Sequence, residues 1–171
     1  MKNKGLLRIL ISFFSLMLLF TASSSHAEKD NLLKPLLIEL KGWNSDDPQG
    51  MSMNMGGMNM ITASRNYTKG NKNIDAMVFL GNQAMTQGKM QEMTAESDET
   101  SIKISTIDGF KTHFVENKND NSISLMVFLA QGQAQGAMFI FSSNNLSKNN
   151  AISCAKKFDW KKMKAAVQKL F

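Results

Sequence analysis

The sequence predicts an α+β fold, an antiparallel sheet of about five to six strands with N- and C-terminal helices packed on it. Three observations carry that expectation. From Met58 to Phe141, apolar or alternating runs are separated by turn signals: Lys69-Gly70-Asn71-Lys72, Asp108-Gly109 and the polar stretch from Asn117 to Asn121. Two neighbouring runs, Ile123 to Ala130 and Ala137 to Phe141, are apolar almost throughout, as strands in the middle of a sheet are. After Ser147 the apolar spacing turns helical, with lysines on the opposite side.

Residues 1–27 read as a secretory leader, which leaves 28–171 as a single domain. Lys2, Lys4 and Arg8 form a basic start, Ile9 to Phe20 is an apolar run, and Ser25-His26-Ala27 offers small residues at −3 and −1 of a cut after Ala27. The apolar run is shorter than the ~20 residues a membrane span needs. The alternative is an uncleaved anchor. No Cys directly follows the run, which disfavours a lipoprotein, so the expected location is periplasmic or secreted. Lys- and Asn-rich composition together with such a leader suits a bacterium. Losing the leader lowers the formal charge from +6 by the three basic residues it holds, and no basic stripe or nucleic-acid-reading motif remains.

Along the mature chain, Asp30 can cap a short helix with Leu32, Leu33, Leu36, Leu37 and Leu40 on one side. Pro35 either delays or kinks it. Gly42 stops the helix, Trp43 anchors the next segment to the core, and Asn44 to Gly50 reads as loop. Met58 to Thr68 and Ile74 to Leu80 form a hairpin about the 69–72 turn. Gly81 to Ala95, with Met85, Met90 and Met93, reads as a short helix or an excursion. Ile102, Ile104 and Ile107 mark a third strand, and Phe110, Thr112 and Phe114 a fourth; the two apolar runs are the fifth and sixth. Ser147 caps one closing helix. Asp159 caps another, with Trp160, Met163, Val167 and Leu170 on its docking face.

The order of these elements, with Gly42-Trp43 between the leading helix and the loop, resembles the PsbP/Mog1-like exported domains. The resemblance spans most of the mature chain. It implies a non-enzymatic assembly or binding factor and carries no functional residue onto this sequence.

The residues themselves argue against catalysis. Nucleophilic chemistry needs a base within reach and a group to orient it. The mature chain holds one His, His113, and one Cys, Cys154, with no Gly-x-Ser-x-Gly elbow. The acids Asp46-Asp47 and Glu96, Asp98 and Glu99 sit in polar stretches where solvated carboxylates belong. No phosphate-cradling or dinucleotide motif is present. Cys154 lies among Ile152, Ala155 and Phe158 and reads as a small buried hydrophobe; His113 reads as a strand or surface residue.

The unusual segment is Gly50-Met51-Ser52-Met53-Asn54-Met55-Gly56-Gly57-Met58-Asn59-Met60. Neutral, soft thioether sulfur suits Cu(I) or Ag(I) and competes poorly for Zn, Mg or Ca. The segment resembles the Met-x-Met and Met-x-x-Met clusters of exported copper proteins. In an extended strand Met51, Met53 and Met55 share a face. A fold-back at Gly56-Gly57 brings Met58 and Met60 opposite, so three sulfurs can approach one Cu(I) at about 2.3 Å, by analogy with thiolate–metal bonds. Two other readings stand beside this one. Three methionines on a half-buried strand can anchor it, each contributing roughly 1.5–3 kcal/mol on burial, or the segment can be an adaptable apolar patch for a partner protein or a lipid chain. The sequence therefore supports an exported binding or assembly protein acting on an envelope protein or ligand, with a Cu(I)/Ag(I) chaperone or buffer as the alternative.

Overall fold

The computed structural model describes residues 29–55, 58–82, 95–132 and 135–171. The leader, the Gly56-Gly57 fold-back and all of the 81–95 excursion between Gln83 and Thr94 lie outside them. The described residues form one antiparallel sheet and two α-helices. The strands are β1 (Asn44–Ser45), β2 (Gln49–Met55), β3 (Met58–Lys69), β4 (Lys72–Asn82), β5 (Ala95–Glu96), β6 (Thr100–Ile107), β7 (Phe110–Asn117), β8 (Ser122–Gln131) and β9 (Gln135–Asn144). Their spatial order is β1-β3-β4-β9-β8-β7-β6-β5, with β2 pairing beside β1 on the same side of β3. The two apolar runs, β8 and β9, are neighbours at the centre. The last strand is inserted between β4 and β8 and joins an N-terminal meander to a C-terminal one.

The sheet-dominated α+β class therefore holds, but three expectations need correction. The strands outnumber the five to six expected, because the sheet gains short or polar edge strands that hydrophobic alternation does not reveal. Second, much of the expected loop from Asn44 to Gly50 is strand: β1 and β2 are one edge interrupted at Asp46-Asp47-Pro48. Ser45 pairs with Tyr67 and Gln49 with Ser64, so the interruption is one residue longer than the opposing stretch of β3 and forms a bulge. Third, the N-terminal helix is replaced by two successive 3-10 turns, Asp30–Leu32 and Lys34–Leu36, the second carrying Pro35 in its first turn. Asp30 caps nothing. Its carboxylate pairs with Lys34 at 3.0 Å, and Leu33, Leu36, Leu37 and Leu40 are buried while Leu32 is exposed.

The helices α1 (Lys148–Ala155) and α2 (Trp160–Val167) follow the capping expected from sequence. Ser147 accepts from the Asn150 amide and Asp159 from the Lys162 amide. Trp160, Met163 and Val167 of α2 are buried. Phe158, between the helices, meets the rings of Phe139 (5.1 Å), Tyr67 (6.0 Å) and Phe141 (6.3 Å). Trp160 stacks edge-on to Phe110 at 5.9 Å and donates its indole N–H to the Ala155 carbonyl at 3.1 Å. Each aromatic pair adds about 0.5–1.5 kcal/mol beyond its burial, so this cluster fixes the helices to one face of the sheet.

The N-terminal segment is tied to that same face through β3. Arg65, 8% exposed, donates from Nε to the Asp46 carbonyl (2.8 Å) and from a terminal nitrogen to the Leu37 carbonyl (2.9 Å). Tyr67 donates its hydroxyl to the Ile38 carbonyl at 2.7 Å. Burial raises the Tyr67 phenol to about 12, against the opposing pull of Arg65. Gly50 is required where the first 3-10 turn crosses β2, because a Cβ there would collide with Asp30 and Lys34.

Candidate functional site

Register decides where the methionines lie. Met51 pairs with Thr62, Met53 with Met60 and Met55 with Met58, so Met51, Met53 and Met60 share one face of the β2–β3 hairpin, and the backbones of Met55 and Met58 continue the same register. Ile61, Ala63, Arg65 and Tyr67, the alternate residues of β3, are buried on the helix side. The methionine face is therefore the outer one. Met51 is 45% exposed and Met53 37% exposed, and Met60 is half-buried. Anchoring core side chains they are not.

Across the sheet the same face continues. Thr62 pairs with Phe79, Phe79 with Met138 and Met138 with Phe128; Ser64 pairs with Met77, Met77 with Ile140, Ile140 with Met126 and Met126 with His113. Among the described residues, Met51, Met53, Met60, Met77, Met126 and Met138 lie on this face, Met138 buried at 6% exposure, and Met163 alone lies in the helix-side core. Both faces are apolar, yet they use different chemistry. The core is built of Leu, Ile, Val and aromatic residues with defined rotamers, whereas the outer face sets flexible, polarisable thioethers among Phe79, Phe128 and Ile140. The two described α-helices pack on the other side. Phe79 folds its ring along the sheet over Gly81, where a Cβ would meet it at 2.7 Å, so the outer face stays flat there.

The hairpin end of the face is also free of charge. From Gln49 to Ser64 there is no ionisable side chain. β3 pairs with β4 only from Ile61 onward, so Met58 to Met60 and their partners on β2 extend past the β3–β4 pairing. Directly opposed residues place their Cβ atoms about 4.5–5.5 Å apart, close enough for the thioethers of Met53 and Met60 to converge on one ion. Among the described residues no group of three His, Cys, Asp or Glu side chains could hold a metal. Thioethers are the remaining soft donors.

His113 lies on the outer face, 1% exposed, its ring edge-on to Phe128 at 5.0 Å. Its Nε2 has no hydrogen-bond partner among the described residues. Burial, and secondarily the Lys111 charge, lower its pKa below the ordinary value. It sits four strands from β3, about 19 Å at the usual strand spacing, so it does not join the hairpin methionines. Cys154 is half-buried against the core rather than fully enclosed. An open cleft of about 350 Å³ lies where the helices meet, between Lys156, Lys157, Lys161 and the acids Asp108 and Asp159, with Lys156 paired to Asp108 at 3.0 Å. Asp159 is occupied by its own helix, and this cleft gathers no catalytic set.

Sequence reasoning singled out the five hairpin methionines as candidate ligands. It missed Met77, Met126 and Met138, which are far apart in the chain and share a face only through register. Strand alternation carried that signal, but with both faces apolar it gave no reason to prefer one side. Compared with protein-family models, with curated proteins and with solved structures, the chain matches none of them. Among the described residues no helix is long and apolar enough to cross a membrane.

Proposed function

We propose that this chain is an exported, non-enzymatic binding protein and that the methionine-rich outer face of its sheet is the binding surface. The observation that carries this reading is the segregation of methionine to that face while the helix-side core is built from other apolar residues. Flexible thioethers suit a surface that must adapt to an apolar partner. An assembly or binding role is also what the PsbP/Mog1-like resemblance implies. Replacing methionine throughout with its photo-reactive diazirine analogue and irradiating intact cell envelopes tests the reading. Cross-links to another envelope component from Met51–Met60, Met77 or Met126 are the expected result. Cross-links confined to Met163 would refute it.

A second reading is favoured by one feature, the uncharged pairing of exposed Met53 with half-buried Met60 toward the end of the hairpin. Here the ligand is Cu(I) or Ag(I), held by sulfurs drawn from Met51, Met53, Met55, Met58 and Met60. Anaerobic titration with Cu(I) against a competing chelator separates the two. This reading expects sub-micromolar affinity, better than roughly −8 kcal/mol, lost in a folded variant with Leu at all five positions. Equal and weak retention of metal by both proteins would leave the apolar partner as the ligand.

A further inference from the structure

The two edges of the sheet are built differently. At the far edge β5 is two residues long, and β6 beyond it carries Lys103 and is flanked by Asp98 and Glu99. Short length and charge are the ordinary devices that keep a sheet edge from pairing with another. At the near edge β1 is also two residues long and ends in the bulge at Asp46-Asp47-Pro48. Between that guard and the hairpin tip, β2 has seven residues, no charge and no proline, and among the described residues a strand partner on one side only. Met51, Met53 and Asn54 along it are exposed. From Met51 to Met55 the strand's own side chains carry nothing that repels an identical strand; at Gly50 it is crossed by Asp30 and Lys34, which pair with each other.

We propose that two copies of the chain pair antiparallel through β2, and that the pairing joins their methionine faces into one thioether surface. The geometry leaves no freedom about which faces meet. Antiparallel pairing of two identical edges in one continuous sheet places the two-fold axis normal to the sheet, and rotation about that axis keeps the outer face outer. Directly opposed residues share a face, so odd-numbered residues of β2 oppose odd-numbered residues of the partner in every register. In the register centred on Met53, Met53 meets its symmetry mate and Met51 meets Met55 of the other copy. In one hairpin Met53 has a cross-strand sulfur neighbour on one side, Met60. In the pair it gains a second on its other side, from the partner copy. Cu(I) held by three thioethers then needs sulfurs from adjacent strands only, two from one copy and one from the other. This last step rests on the soft-metal reading above; the pairing of edges does not.

The test is sedimentation velocity on the full chain, expressed with its own leader and purified from the envelope, with and without one equivalent of Cu(I). It is paired with hydrogen exchange at about 1 and 100 μM, a range over which a dimer's protection depends on concentration. Expected is a dimer whose Gln49–Met55 amides exchange roughly tenfold or more slowly at the higher concentration. Asn54→Lys, which adds an edge charge on the face opposite the sulfurs, shifts the protein to monomer. Met53→Leu leaves it dimeric and lowers Cu(I) affinity at least tenfold. A monomer at every concentration, with or without Cu(I), overturns the proposal, as does a dimer whose protection lies away from β2. Should Asn54→Lys fail to fold, the exchange map of the unaltered protein decides alone. Cu(I) bound by a monomer removes the shared site and leaves the metal reading intact. A β2 dimer that binds no Cu(I) removes the metal reading and leaves the pairing.

Discussion

His113 is the residue at which the outer face is most constrained. Its imidazole is buried, with Nε2 unpartnered among the described residues, and the neighbours opposite it across β6 and β8, Ile104 and Met126, are apolar. The nearest charge by register is Lys111, two positions away on its own strand. Both burial and that lysine favour the neutral ring. The folded pKa is thus depressed while the unfolded chain titrates near 6.5. The unfolded state therefore binds the proton first, and stability is fully present above about pH 6.5 and falls as pH drops through the folded pKa. Urea unfolding at a series of pH values from about 7.5 to 5 checks this, and the dependence flattens in His113→Leu. That variant also removes an unsatisfied polar atom, so its stability at neutral pH rises by about 1 kcal/mol. Arg65 shows the opposite condition, a buried cation satisfied by two carbonyls, with Glu39 at 3.5 Å from its second terminal nitrogen.

At the scale of elements, local chemistry was legible wherever it was self-contained. Ser147 and Asp159 are read as caps from sequence and serve as caps in the fold, because a cap needs only its own first turn. Asp159→Ala should lower stability by about 1 kcal/mol in thermal or urea unfolding, with the cluster around Trp160 loosening as α2 frays. The N-terminal segment misled for the same reason in reverse. Leu32, Leu33, Leu36, Leu37 and Leu40 have helical spacing, but Arg65 and Tyr67 take the Leu37 and Ile38 carbonyls, and Pro35 shapes the second tight turn. Long-range hydrogen bonds won over periodicity there. β1 and the start of β2 were hidden because an edge in a polar stretch shows neither an apolar run nor a clean turn, and Asp46-Asp47-Pro48 looks like loop on any local criterion; the alternating Met51, Met53 and Met55 were legible as a strand.

For the molecule as a whole, the central strands and the closing helices could be read from hydrophobic pattern, and the division of labour between the two faces of the sheet could not. Placing Met77, Met126 and Met138 beside the hairpin methionines requires the registers of β3 with β4, β4 with β9 and β9 with β8, all fixed by tertiary pairing. A helix-clad face holds the fold together. The other face, on which neither described α-helix packs, is the one proposed to bind, and its methionine content is the reason.

The position of the final strand has a further consequence for how the chain acquires its shape. β4 can form its hairpin with β3 early, but its other edge, Ile74 to Leu80, waits for residues near the end of the chain to arrive between it and β8. Pairings this distant in sequence form slowly, because loop-closure entropy must be met before the contacts reward it. During synthesis, then, two apolar strand edges stay open until Asn144 has emerged. A polypeptide passed through a narrow channel from its N-terminus must remain unfolded until the passage is nearly complete. Putting the keystone last makes that delay a property of the topology itself.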